Sequence, residues 1–338
     1  MLKIIFYQCC IVFVVIRGSE ITQLNTPRVD FSHSIYWDDD TQSLYFVNFF
    51  TSDNQSSIYR YSTPDEILYS AYIEGVTSPA FIIPTNKMCK KCNKCNKQFF
   101  AVGVGSDVII IKWNGRSTKA KVIKTLFTVD DTSMRFDIGV ADSKGRFYGG
   151  TLSPKFCNSN PSRSFYRFIK NKGVDRLFGN LQSTSGIVFN EHLNKIYHLD
   201  SCQLTISGFD WDPKTGDICN GRVVFKFPLN GRPMSTYFPL GLAINSNGML
   251  FLAEHYTSEV WEINPWTGDV IDIIKLPVSG AVGLTFGGPQ HNILYVIVMQ
   301  KIIDVLGNVV GERTNGTSIY AITGLGESNT HTARLDID

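Results

Sequence analysis

The sequence predicts an all-β fold, a six-bladed β-propeller. Three observations carry the prediction. A turn-and-strand motif recurs six times at roughly fifty-residue spacing, the size of one propeller blade built from several short strands. Long stretches of helical periodicity are missing, which argues against an α/β barrel. Gly, Tyr and Phe are frequent, with 28, 14 and 23 copies among 338 residues, a balance that favours strands and tight turns.

The repeat begins with short apolar strands after turns: "QSLYFVNF", "KQFFAVGV", "GRFYGGTL", "NKIYHLDS", "GMLFLAEH" and "NILYVIVM". Each is followed by a second strand: "SSIYRYS", "VIIIKWN", "SFYRFIK", "LTISGFDWD", "SEVWEINP" and "TSIYAIT". Two of these run into near-identical turns, "DWDPKTGDI" and "EINPWTGDV", where Pro sets the first turn dihedral and Gly supplies positive φ. One blade cannot bury both faces of its sheet, whereas a ring of blades buries each against the next. No Pro-rich or low-complexity linker divides the chain, so residues 20–338 read as one domain rather than a β-sandwich or a two-domain β protein.

The N-terminus reads differently. "MLKIIFYQCCIVFVVIRGSE" opens with Lys3, runs apolar to Ile16, and then meets Arg17, Gly18 and Ser19. That run is short for a bilayer span and suits a secretory signal over residues 1–19, cleaved near Gly18 or Ser19. The expectation is a secreted, extracellular protein with no membrane insertion after cleavage. A formal net charge of +2 leaves no global field to attract nucleic acid. The sequons at Asn54 and Asn315 fit glycosylation in an exported chain.

Export also shapes the reading of cysteine. Beyond the signal stand Cys89, Cys92, Cys95, Cys157, Cys202 and Cys219, an even set suited to disulfides. "MCKKCNKCNK" has a zinc-like spacing but no nearby fourth ligand, so disulfides are the expected state. Cys202 and Cys219 flank one turn of one blade and are expected to pair across neighbouring strands. Cys157 would then join one of the clustered three. The Lys residues in that cluster read as a solvated face.

Ligand sites of propellers gather where several blades converge on the central channel. The candidate segments therefore lie just ahead of the repeat strands: "DFSHSIYW", "SMRFDIG", "STSGIVF" and "YFPLGLA". They read as loops entering the innermost strands.

These segments, with "SGIVFNEHLNKIYHLDS", "PLGLAINSNGMLFLAEH", "INPWTGDVIDIIKLPV" and "SIYAITGLG", resemble the SMP-30/gluconolactonase family, which includes regucalcin and luciferin-regenerating-enzyme-like proteins. The resemblance covers nearly the whole mature chain. It implies a six-bladed propeller and metal-dependent lactone hydrolysis at an axial divalent cation. The family's four ligand positions fall on His33, Asp137, Ser185 and Leu240, none of which is the family's usual residue. A hard cation wants oxygen ligands. Asp137 remains an anionic oxygen, His33 suits zinc or copper better than calcium, Ser185 is a neutral hydroxyl, and Leu240 cannot ligate.

The resemblance also places Arg135 at a substrate-facing arginine. Ile138 stands where a polar neighbour is usual, and Pro154 where a glutamate is. Losing the ligand that also transfers protons should cost orders of magnitude in a metal-assisted hydrolysis. No confident catalytic residue follows, and no cofactor is expected; calcium, zinc or manganese comes in only through the resemblance.

The expected function is a regucalcin- or gluconolactonase-like propeller that has lost efficient lactonase activity. It would bind a small molecule or an extracellular protein, with Arg135, Asp137, His33, Ile138 and Leu240 as candidate contacts. Ile138 and Leu240 together would make a less polar pocket where a cation sits in relatives. The alternative is a lactone or ester hydrolase with a site rebuilt around His33 and Asp137 on zinc, manganese or calcium.

Overall fold

The structure is a computed structural model. It describes residues 18–26, 34–49, 51, 55, 57–86, 98–152, 157, 163–228, 237–299, 301–303, 309–312, 319–325 and 333–337. His33, Pro154, Asn54, Asn315, Cys89, Cys92, Cys95 and the apolar N-terminal run lie outside the described residues. No helix among the described residues is long and apolar enough to cross a membrane.

The architecture is all-β and propeller-like. One sheet runs Arg135–Ala141, Phe147–Leu152, Arg163–Ile169, Gly173–Leu181 in spatial order. The next runs Gly186–Asn190, Lys195–Asp200, Thr205–Trp211, Ile218–Lys226, and a third Pro239–Ile244, Leu250–Glu254, Glu259–Asn264, Asp269–Lys275. These three are antiparallel meanders. The last sheet orders Ala281–Gly287, Ile293–Val298, Ile319–Thr323 and then Glu20–Gln23, so the N-terminal strand forms the outer edge of the C-terminal sheet. That pairing closes the ring with backbone hydrogen bonds between the two ends of the chain.

Residues 35–128 form one eight-stranded sheet instead of two separate blades. Its halves are antiparallel runs of four strands. They join where the outer strands Ile67–Ile73 and Lys119–Thr128 pair in parallel, Tyr72 opposite Lys119 and Ile73 opposite Ala120. An unpaired outer edge is a template for another strand, and here the neighbouring edge fills it.

The innermost strands are Ile35–Asp38, Ile82–Pro84, Arg135–Ala141, Gly186–Asn190, Pro239–Ile244 and Ala281–Gly287, and neighbours contact one another around the axis. The candidate segments, read as loops, thus contribute Ile35, Arg135, Gly186 and Pro239 and the residues that follow each of them to the innermost strands. The "QSLYF"-type motifs are second strands. The short inner strands escape a sequence reading because bulges interrupt their alternation. The register skips Asp137, Gly241 and Val282 at matching places in three of them.

Large side chains fill the spaces between sheets. Trp37, Phe46, Phe81, Phe136 and Phe147 are fully buried in one cluster. Each contributes about 1.5–3 kcal/mol through removal from water. At the far ends of the inner strands, short polar side chains close the turns. Asp38 accepts the Thr41 N–H at 3.2 Å, Asp142 the Lys144 N–H at 2.9 Å, Asn190 the Leu193 N–H at 3.2 Å, and Asn245 the Met249 N–H at 2.9 Å. Asn and Asp suit these corners because their side chains mimic a backbone turn.

Candidate functional site

The inner strands run the same way, so their starts gather at one mouth of the axial channel, the entrance, and their ends at the other, the exit. The entrance carries Arg135, Asp137, Ser185 and Leu240, four of the residues singled out in the sequence. Asp137 sits on a bulge, which turns its carboxylate out of the ladder, and it is buried. Arg135, two residues earlier, lays its guanidinium 3.7 Å over the Phe49 ring and donates to the Ser78 carbonyl at 2.6 Å. Burial pushes Arg135 below the usual arginine range, and the Asp137 charge opposes that shift.

A second cation, missed by the sequence reading, stands beside them. Arg163 opens its strand and is fully buried. Burial lowers its pKa too, against the opposing charges of Asp200 and Asp137. Asp200 is itself a loop organiser. It accepts Ser183 Oγ at 3.0 Å and the N–H groups of Gln182, Cys202 and Gln203 at 2.9, 3.1 and 3.1 Å. The signal for Arg163 in the sequence was one residue wide, a basic residue opening the aromatic-rich strand RSFYRFI. Its two carboxylates come from different places: Asp200 from the neighbouring sheet and Asp137 from the inner strand of its own.

Ser185 is buried, and its backbone is engaged: its N–H donates to Leu199 O at 3.0 Å and its carbonyl accepts Gly241 N–H at 2.9 Å. Gly241 can approach because it has φ +77° and no side chain; a Cβ there would lie 2.6 Å from the Val282 carbonyl. Leu240 is 2 % exposed and packs in the apolar cluster with Phe238 and Val282. Phe238 stacks on Tyr256 at 6.1 Å and meets the His255 ring edge-on at 6.2 Å. Glu254 pins this group by accepting the N–H groups of Phe238, Tyr256 and Thr257 at 2.6, 2.9 and 2.6 Å. Burial raises the Glu254 pKa, while those hydrogen bonds hold it back.

His198 lies between two sheets near this end. Its Nε2 is 3.1 Å from Thr184 Oγ1, and its ring meets Phe165 and Phe178 edge-on at 5.6 and 6.2 Å. Burial depresses its pKa to about 4, with Asp200 acting the other way.

A divalent cation does not fit the described members of the expected ligand set. Leu240 offers no donor and is part of the core. The carboxylate of Asp137 faces the charges of Arg135 and Arg163, which oppose a cation. Among the described residues no group of three or more His, Cys, Asp or Glu side chains is placed to hold a metal ion.

The expected pairing of Cys202 with Cys219 is overturned. Cys202 bonds to Cys157, with Cα atoms 5.2 Å apart, and Cys219 is free and exposed. Cys202 lies in the turn just before the strand Thr205–Trp211, whose first residue pairs with Lys226, whereas Cys219 pairs with Asp210 near its end. A seven-residue strand is roughly 20 Å long, too far for a bridge. The bond instead ties two neighbouring sheets together near the entrance.

The expected pocket joining Ile138 and Leu240 also divides. Ile138 lines a cavity of ≈ 520 Å³ on the axis; the side chain of Leu240 does not, although Gly241 and Leu242 do. This cavity reaches the exit mouth, where Ser143, Glu191 and Asn245 stand around it.

An all-β ring whose inner strands bring polar groups to a shared axis is a propeller of the axial-site class. The profile of the SMP-30/gluconolactonase/LRE-like region matches residues 31–300, and the chain belongs to that family. It is 26% identical to regucalcin of Sus scrofa over 230 residues, 67% of this chain and 74% of that protein. Regucalcin of Macaca fascicularis is 27% identical over the same shares. Among solved structures, a luciferin-regenerating enzyme superposes with a TM-score of 0.79 at 21% identity, covering 95% of this chain and 100% of that one. Agrobacterium tumefaciens regucalcin, described as a calcium-binding protein, gives 0.70 at 13% identity, covering 92% and 94%.

Proposed function

We propose that this chain is an exported, regucalcin-like propeller that has lost efficient metal-dependent lactone hydrolysis and works by binding a small molecule or an extracellular protein. One observation carries the reading: Leu240 packs with Phe238 in the core where the family resemblance expects a carboxylate ligand. The paired arginines around Asp137 support it, because they compensate the carboxylate charge that a metal would need. Removing a metal ligand that also moves protons lowers turnover by orders of magnitude. The apolar N-terminal run and the Cys157–Cys202 disulfide support export, since such bonds persist in oxidising compartments.

The same reading counts one domain of six blades over residues 20–338. Support comes from the eight-stranded sheet, which divides at a parallel contact of two residue pairs into halves of four strands.

The test uses the secreted chain from about Glu20, assayed against sugar and acyl lactones with calcium, manganese or zinc. The expected result is no turnover above background with any metal. Turnover with zinc or manganese, abolished by Asp137→Ala, would establish a hydrolase rebuilt around His33 and Asp137 and overturn the proposal.

A further inference from the structure

The exit half of the channel has the makings of a second site. Its cavity of ≈ 520 Å³ falls within the usual size of small-molecule pockets, about 300–1,000 Å³. Ile138, Ile187, Leu242 and Leu284, from four neighbouring inner strands, give it an apolar body. Val140 and Val188 also line it and stay only partly buried, although both lie on innermost strands.

The guanidinium at the mouth is already engaged. Arg334 is ion-paired to Asp38 and to Asp40, the latter at 3.0 Å. Glu191 is exposed at the rim and accepts the Ser143 N–H at 3.2 Å. The C-terminal tail that carries Arg334 is fixed as one wall. Leu335 N–H donates to Pro84 O at 3.0 Å, Asn86 N–H to Leu335 O at 2.8 Å, and Asp336 N–H to Gly145 O at 2.9 Å. An anionic ligand would find Arg334 already paired, and the apolar body of the cavity would leave the desolvation of any ionic group placed there unrepaid.

Among the described lining residues, one buried polar atom is left over. Asn245 lines the cavity and is 2 % exposed. Its Oδ1 is taken by the Met249 N–H, while its Nδ2 has no acceptor among the described residues. The corresponding turn residues Asp38 and Asp142 spend their second oxygens on Arg334 or Arg146. A buried donor without an acceptor is costly, so a site that holds one is suited to a ligand that supplies it.

We propose that the exit half of the channel binds a neutral, mostly hydrocarbon small molecule whose carbonyl or hydroxyl oxygen accepts a hydrogen bond from Asn245 Nδ2. The site shares none of Arg135, Asp137, Arg163, Asp200 or Leu240 with the entrance. Its occupancy does not depend on whether the entrance hydrolyses lactones.

The experiment follows N-phenylnaphthylamine fluorescence on the full secreted chain, with displacement by carvone and by limonene. These competitors share a carbon skeleton and differ by one carbonyl. Asn245→Asp keeps the oxygen that caps the turn, as Asp142 does, and removes the amide donor. The expected result is probe binding to the wild type, carvone favoured over limonene, and carvone affinity about tenfold weaker in Asn245→Asp with limonene changed less than roughly twofold. Val188→Trp fills the cavity and should abolish probe binding. If that variant does not fold, Ser143→Trp at the exposed rim serves the same purpose. A folded wild type that does not bind the probe, a carvone preference that survives Asn245→Asp, or binding unaffected by the folded tryptophan variant would each overturn the site. The same samples go into the lactone assay, so turnover there would sink the proposed function and leave this site standing.

Discussion

The two ends of the axial channel are built from the same inner strands, yet they solve opposite packing problems. At the entrance, Arg135, Asp137, Arg163 and Asp200 bring buried charges together, and Phe238, Leu240, His255 and Tyr256 close over the axis. At the exit, the strands end in Asx-type turns that satisfy their own backbone, and the space between them stays open as a cavity. The contrast teaches where this fold can store binding capacity. Strand starts must match buried side chains from several sheets, so a few substitutions there convert a polar mouth into core. Strand ends carry turns that are locally self-sufficient, so the channel can stay open without destabilising the sheets.

The sharpest way to break that contrast is to place a carboxylate at position 240. Leu240→Asp buries an unpaired charge beside Phe238 and Val282 and should cost about 3–5 kcal/mol in urea unfolding. A variant as stable as wild type that also melts higher with calcium would mean that the entrance still accommodates a cation. The disulfide near that end comes next. Cys202→Ser opens a bond between residues 45 apart in sequence and should lower stability by about 2–4 kcal/mol.

Acid should also act through one group near the entrance. The folded-state pKa of His198 is depressed from 6.5 to about 4, so its neutral form is the one the fold accommodates. A depressed folded pKa means stability that is present above 6.5 and lost as pH falls towards 4. The loss should be on the order of 3 kcal/mol, and it should be absent in His198→Gln. An unfolding free energy that is flat over that window would show that the ring is hydrated. At the exit, Arg334→Ala breaks the pairs to Asp38 and Asp40 and should cost about 1–3 kcal/mol, read by thermal melting. A smaller loss would mean that Leu335 alone holds the tail. Cys219→Ser, on an exposed outer strand, should change stability by less than about 0.5 kcal/mol.

Much of the architecture was legible because it is periodic. The second strands, such as Phe147–Leu152 and Leu250–Glu254, are fully buried apolar runs bounded by turns, and such runs announce themselves. The innermost strands were read as loops because bulges at Asp137 and Gly241 break their alternation. The cysteine pairing was read from sequence proximity, and proximity misled. Cys202 precedes one end of the antiparallel pair whose other end holds Cys219, while Cys157 lies between two strands of the neighbouring sheet.

The sequence by itself determined the strand repeat and the turn chemistry of "DWDPKTGDI" and "EINPWTGDV". Each depends only on residue type and local spacing. Tertiary structure alone decided that Arg163 would face Asp137 and Asp200, that Leu240 would become core, and that the open space would lie at the exit. Those outcomes require side chains from different sheets to meet at one axis. Contacts between residues distant in the chain are set by how the blades close on one another, which local pattern does not encode.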